Sequence, residues 1–290
     1  MICLTRKAWG KLNLTLDVLG RRPDGYHALR SVMTPVSLSD TLQIRLGTGL
    51  PWQVRCDRAE VPQGEKNLCW KAARLYFDVI GEDPQGLDIF IEKQIPMQAG
   101  MAGGSADAAA VLSALNRHYG ALKDADLRSI GLMVGSDVPF CQLGVTALAE
   151  GRGEILTPLP KLPEAMTYVL VQPDFSASTP ALFARLDLVG VTRRPDNGAM
   201  AAAITDGSIP RIAGLLSNAF QPVVEADFPV VGQICRKLLE NGALGACLTG
   251  TGSVVFGVFD GRAAADAAAA AMAVRYPRVF TARNVSGRCL

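Results

Sequence analysis

The segment at residues 92–108, EKQIPMQAGMAGGSADA, constrains this chain more than any other. A strand pattern at 87–92 runs into a turn rich in glycine and alanine, and a helix pattern at 106–119 follows directly. At such a junction the helix's first amides have no partner inside the helix, and the macrodipole adds partial positive charge. Gly100, Gly103 and Gly104 let a phosphate approach the backbone closely, so the junction suits anion binding. Ser105 is placed to cap the helix or to turn its hydroxyl toward a phosphate or its metal. Two common phosphate loops are excluded. No lysine follows Gly104, as G-x-x-x-x-G-K-[ST] requires, and Ala102 stands where G-x-G-x-x-G needs its second glycine. The other reading is that these glycines serve only tight strand–helix packing.

Two further clusters are rich in glycine. Leu248-Thr-Gly-Thr-Gly-Ser253 leads into the apolar run Val254-Val-Phe256, a strand rather than a helix. Its simplest reading is a hairpin turn with glycine at positive φ. Gly135-Ser-Asp-Val-Pro139 puts Asp137 in a break after a helix pattern, with Pro139 forcing Val138 toward extended geometry. An Asp there can cap or make an Asx-turn, and one held in a rigid glycine–proline frame can also serve as a general base.

Composition removes several classes of function. Lys and Arg total 29 against 27 Asp and Glu, a net +2, with no clustered basic footprint for nucleic acid. Apolar residues make up 49% and charged ones 19%, at mean hydropathy +0.21, enough to fill a real core. The N-terminal apolar stretch is broken by Lys11, Asn13 and Asp17, so it does not read as a signal peptide. The longest low-polarity run, 263–274, contains Asp266 and falls short of the roughly 20 apolar residues a membrane span needs. The seven cysteines (Cys3, Cys56, Cys69, Cys141, Cys235, Cys247, Cys289) are scattered, and only His27 and His118 could join them. This favours free thiols in a reducing cytoplasm over a zinc site or a disulfide scaffold.

The pattern along the chain predicts an α+β fold in two lobes, with a seam near 155–165 where Pro158, Pro160 and Pro163 crowd together. Alternation at 12–19, LNLTLDVL, predicts a half-buried strand, and Pro23-Asp24-Gly25 a turn after it. Further strands are expected at 41–46, 87–92 and 168–172, and a hairpin at 246–259. Helices are expected at about 67–80, 106–119, 124–134, 179–186, 211–216, 229–241 and 263–275.

In this order the three clusters, with the N-terminal AWGKLNLTL and RRPDGYH, resemble the galactokinase–homoserine kinase–mevalonate kinase (GHMP) superfamily. Lys11-Leu-Asn13, Arg22-Pro-Asp-Gly-Tyr-His27, Asn67-Leu68, Gly153-Glu-Ile-Leu156 and Thr179-Pro180 extend the resemblance over almost the whole chain. They point to its branch acting on a cytidine-diphosphate-linked sugar alcohol in the non-mevalonate isoprenoid pathway. The resemblance implies a two-lobed fold with an active site in the cleft. It divides the chain into an ATP-binding domain at 1–157 and a C-terminal domain at 158–290.

The resemblance also implies roles. Lys11 and Asp137 match the catalytic pair, with Asp137 the base. Pro96, Met97, Gln98, Ala99, Gly100, Met101, Ala102, Gly103, Gly104, Ser105 and Ala106 match the loop around the ATP phosphates, and Asn67, Leu68, Lys93 and Met97 the adenine site. Asn13, Tyr26, His27, Thr179, Phe183, Gly250, Thr251 and Gly252 match the substrate side, with cytosine clamped between Tyr26 and Phe183 and His27 at its edge. ATP is the implied co-substrate with Mg²⁺, whose ligands stay open. The family loop often has glycine where Gln98, Ala99 and Ala102 stand, and serine where Ala106 stands. A sibling kinase for homoserine or mevalonate is the second reading, against which the D-G-Y-H segment speaks. A third is a non-catalytic sensor, which would be expected to have lost Lys11 or Asp137.

Overall fold

The computed structural model describes residues 1–287, so Cys289 lies outside the described residues. Strands β1 (Ile2–Asn13) and β2 (Thr15–Arg21) both pair antiparallel with β3 (His27–Leu46), a 20-residue strand. β3 is the spine of the first sheet. After β4 (Gln53–Cys56) come helix α1 (Leu68–Ile80) and β5 (Leu87–Glu92), then α2 (Gly103–Tyr119), α3 (Asp124–Val134) and α4 (Val138–Leu143). Strands β6 (Ala147–Gly151) and β7 (Ile155–Pro158) return to the sheet, β6 pairing with the N-terminal half of β3. Helices α1, α2, α3 and α4 bury their apolar faces with this sheet in one cluster that includes Tyr76, Ala109, Leu112, Ile130 and Phe140.

The second sheet runs β10-β11-β8-β12, antiparallel throughout. It comprises β8 (Met166–Val171), β10 (Gly245–Leu248), β11 (Val255–Asp260) and β12 (Val279–Arg283). Around it lie α5 (Thr179–Val189), α6 (Asn197–Thr205), α7 (Ile209–Gly214), the short β9 (Ser217–Asn218), α8 (Gln221–Asp227), α9 (Val230–Glu240) and α10 (Arg262–Ala273). All six residues of β8 are buried because both faces of this sheet are covered. Tyr168 and Leu170 join the cluster shared with the first sheet, whereas Val169 and Val171 face α9 and α10 in a second cluster. That split follows the two-residue period of a strand.

The strand expected at 12–19 is in fact the junction of β1 and β2, and its polar side is buried as well. Thr15 bonds Asn197 and Val32, while Asp17 bonds Arg194, so the second half of the chain covers the face that alternation assigned to water. β9 adds to β2 as a parallel strand, and α6 and α7 pack into the first cluster through Met200, Ile204 and Ile212. The helix expected from 106 begins at Gly103, so Ser105 stands in its first turn and Ala102 takes the N-cap position. Helices α4, α6 and α8 were not expected. They are short, and α6 and α8 begin next to Pro195 and Pro222, which obscure a helical period.

Candidate active site

Lys11 lies at a break in the β1–β3 register. Trp9 pairs with Ser39 but Lys11 with Pro35, so the extra residues of β3 bend β1 toward the glycine-rich turn. Lys11 N–H donates to Met101 O at 3.0 Å, and its buried ammonium donates to Asn13 Oδ1 and to Gly100 O, both at 2.6 Å. Burial pulls the Lys11 pKa below its ordinary value, and nearby Asp137 and Cys141 oppose that shift. Asp137 precedes α4, half-buried, and makes no side-chain capping bond to that helix.

Asn13 ties three segments together. Its Oδ1 accepts from Lys11 and from Gly250 N–H at 3.0 Å, its Nδ2 donates to Ser31 Oγ at 2.8 Å, and its N–H donates to Thr249 Oγ1 at 3.0 Å. The two glycine clusters therefore meet directly. Gly100 has φ +73°, and a Cβ there would fall 2.1 Å from Thr249 O. Ser253 and Val254 N–H donate to Gln98 O and Ala99 O. The 248–253 cluster is a hairpin turn, and the same turn is packed onto the 96–104 loop.

Three cavities border that loop. One, about 760 Å³, is lined by Arg58, Gln172 and Arg278 with Pro96, Met97 and Gln98, and the other two share more of the loop. The larger of these two, about 740 Å³, is lined by Lys11, Asn13, Asp137, Thr179, Phe183, Gly250, Thr251 and Gly252 among others. The smaller, about 370 Å³, is lined by Asn67, Leu68, Lys93 and every residue of 96–105. Gln98, Gly100 and Ala102 line both, so the loop is their common wall. Ala106 is buried and lines neither. Tyr26 and His27 also stand outside both walls. Tyr26 carries the Arg152 guanidinium 4.7 Å above its ring, while His27 stacks on Phe183 at 4.4 Å and bonds Asp187 at 2.7 Å. Phe183 thus faces His27 rather than Tyr26, because Phe183 and Asp187 lie one turn apart on α5 and grip the imidazole together.

The N–H groups of Gly103, Gly104 and Ser105 open α2 onto the smaller cavity. Of the departures from the family loop, Gln98 and Ala102 take φ of +49° and +58°, a left-handed backbone that glycine adopts without steric cost. Beneath them lies a buried triad that sequence reading missed. Lys93 bonds Asp40 and, at 2.9 Å, Asp107, while Asp40 also accepts from Gln94 and Ile95 N–H. Burial lowers the Lys93 pKa, but the two carboxylates outweigh it and the net shift is upward. Burial drives Asp107 up against the pull of Lys93, and Asp107 Oδ1 has no hydrogen-bond partner. Asp107 and Arg152, which lines the larger cavity, are the notable omissions from the sequence reading. Only the contacts made on folding distinguish them from other surface or helix charges. Among the described residues no group of three or more His, Cys, Asp or Glu could hold a metal ion, and no helix is long and apolar enough to cross a membrane.

The GHMP kinases N terminal domain matches residues 67–145, and the GHMP kinases C terminal domain matches 200–278. The chain is 42% identical over 273 residues to the 4-diphosphocytidyl-2-C-methyl-D-erythritol kinase of Geobacter sulfurreducens, covering 94% of this chain and 95% of that protein. The chain belongs to the 4-diphosphocytidyl-2-C-methyl-D-erythritol kinases of the GHMP family. A crystal structure of 4-(cytidine 5'-diphospho)-2C-methyl-D-erythritol kinase superposes with TM-score 0.82 at 32% identity, over 98% of this chain and all of that one. Homoserine kinase from Cytophaga hutchinsonii aligns with TM-score 0.74 at 19% identity, over 99% and 97% of the two chains, and so shares the fold alone. The two-lobed α+β architecture is that of the GHMP kinases, with the larger cavity lined by both lobes.

Proposed function

We propose that this chain transfers the γ-phosphoryl of ATP to the 2-hydroxyl of 4-diphosphocytidyl-2-C-methyl-D-erythritol, giving the 2-phosphate and ADP. The observation that carries the reading is the shared loop wall, with an anion-suited helix start on one side and Lys11 and Asp137 on the other. ATP occupies the smaller cavity, its adenine near Asn67, Leu68, Lys93 and Met97 and its phosphates along 96–105. The cytidine-diphosphate substrate occupies the larger one, against Asn13, Thr179, Phe183, Gly250, Thr251 and Gly252. Its hydroxyl oxygen attacks the γ-phosphorus, the bond to the β–γ bridging oxygen breaks, and the hydroxyl proton passes to Asp137. Lys11, held by Asn13 and Gly100 O, offsets the negative charge that develops on the attacking oxygen.

A phosphate-borne Mg²⁺ fits a site without a carboxylate cage, because this ion keeps waters and takes few protein ligands. Ser105 is the hydroxyl placed to meet it, and the ion's contribution when bound is to neutralise charge on the ATP oxygens. His27 acts from behind Phe183, orienting the aromatic face on which the base stacks, while Tyr26 holds the guanidinium of Arg152, a residue that lines the larger cavity. The division into 1–157 and 158–290 is supported by the start of the second sheet at Met166, and a cytoplasmic address by the scattered, unpatterned cysteines of the sequence.

A coupled ADP-release assay with the cytidyl substrate beside homoserine and mevalonate tests the reading. Turnover is expected only with the first, and ADP release driven equally by homoserine would sink it. Asp137→Asn should cut kcat by about 10²–10⁴-fold while leaving ATP binding intact, since the amide keeps the shape but cannot take the proton. Activity within a few-fold of wild type removes Asp137 from the chemistry.

A further inference from the structure

We propose that Lys71 is a positioning residue for Asp137, so that an exposed side chain on α1 sets the aim of the base. Its ammonium donates to Met133 O at 2.5 Å and to Val134 O at 3.3 Å, the last two carbonyls of α3. Helix ends leave such carbonyls without an intrahelical donor, and a cation there also meets the negative end of the macrodipole. Gly135, Ser136 and Asp137 follow at once. Gly135 is extended, with φ −176° and ψ 155°, and α4 begins at Val138.

Asp137 has no side-chain capping bond to α4, so its direction depends on the backbone that presents it. That backbone is held from the C-terminal side by Cys141 N–H on Asp137 O, 3.1 Å, and across the turn by Val138 N–H on Gly135 O, 3.1 Å. From the N-terminal side the turn inherits its position from the end of α3, which packs on α1 through the apolar cluster containing Val134, and Lys71 adds the polar tie between that end and α1. The same helix starts at Asn67, whose Oδ1 accepts from Cys69 N–H, and Asn67 and Leu68 line the smaller cavity. One turn of α1 therefore spans the wall of the nucleotide cavity and the strut beneath the base. Misplacing a reacting group by about 1 Å can cost about 10²-fold in rate.

The proposal rests on the reading of Asp137 as the base, and the test separates the two. Full-length wild type, Lys71→Met, Lys71→Arg and Asp137→Asn are compared by kcat per folded molecule, both KM values and Tm. Lys71→Met is expected to lower kcat about tenfold or more. Both KM values should stay within about twofold, and an exposed capping residue should move Tm by no more than about 4 °C. Lys71→Arg keeps donors for the two carbonyls and should recover most of the rate. If Asp137→Asn is as active as wild type, the base assignment falls and this proposal with it. If Asp137→Asn is inactive while Lys71→Met keeps its kcat, only the role of Lys71 is overturned. A Lys71→Met defect confined to the KM for ATP, or one that Lys71→Arg shares in full, also overturns it.

Discussion

At the scale of single residues, the phosphate loop carries strain at two identifiable positions. Gln98 and Ala102 sit in left-handed backbone, which costs a non-glycine residue about 1–2 kcal/mol. Glycine relieves that cost but adds about 0.5–1 kcal/mol of chain entropy. Ala102→Gly is therefore expected to leave Tm unchanged or slightly higher, in keeping with the preference for glycine over alanine at N-cap positions. A clear fall in Tm on thermal melting would show that Ala102 is held by its packing instead. Gly100 is the opposite case. It has both a positive φ and Thr249 O where a Cβ would go, so Gly100→Ala should separate the two glycine clusters and lower Tm and ATP affinity together. By contrast, a Cβ at Gly104 meets only Leu68, at 3.5 Å. Gly104→Val should accordingly lose ATP binding with its melting temperature nearly kept, which melts with and without Mg-ATP resolve.

Where β3, β5 and α2 meet, the interaction that decides is the buried triad of Asp40, Lys93 and Asp107. Two carboxylates share one ammonium, and the pKa of Asp107 is raised by burial. The sign follows from proton counting. Between the ordinary carboxylate pKa and the raised one, the folded chain holds a proton that the unfolded chain has released, so stability falls as pH rises through that window. Asp107→Asn removes this dependence and leaves Asp40 to pair Lys93. The difference in Tm between Asp107→Asn and wild type should move in favour of the variant as pH climbs from about 4 toward 8, as denaturation at a series of pH values would record. A constant difference would mean Asp107 is ionised in both states. This triad was not legible in the sequence, since Asp40 stands far from the other two and Lys93 and Asp107, although both within 92–108, share no local pattern that pairs them. The elements themselves were. Strand β5 and helices α1 and α3 lie close to their expected bounds because each has a clear apolar period, and the two helices each end at a glycine, Gly81 and Gly135.

At the scale of the whole molecule, Asn13 is the tie between the lobes, joining Lys11 and Ser31 of the first sheet to Thr249 and Gly250 in the turn between β10 and β11. Asn13→Ala leaves several buried polar groups unpaired, each costing about 1–3 kcal/mol. It is expected to lower the urea midpoint and to reduce kcat through Lys11, and an unchanged midpoint would mean that the lobes are held by the apolar clusters alone. Cohesion of this kind marks what each level of description could supply. The order of glycine clusters, the Lys11 and Asp137 candidates and the strand–loop–helix junction were all readable from local spacing, because turn chemistry and helix starts depend on neighbours in the chain. Tertiary structure alone decided that the polar side of 12–19 is covered, that Phe183 meets His27, that the 248–253 turn braces the phosphate loop, and that Lys71 reaches the end of α3. Each of those contacts joins residues whose only relation is proximity after folding. Burial and hydrogen-bond partners are properties of that proximity, and no periodicity along the chain encodes them.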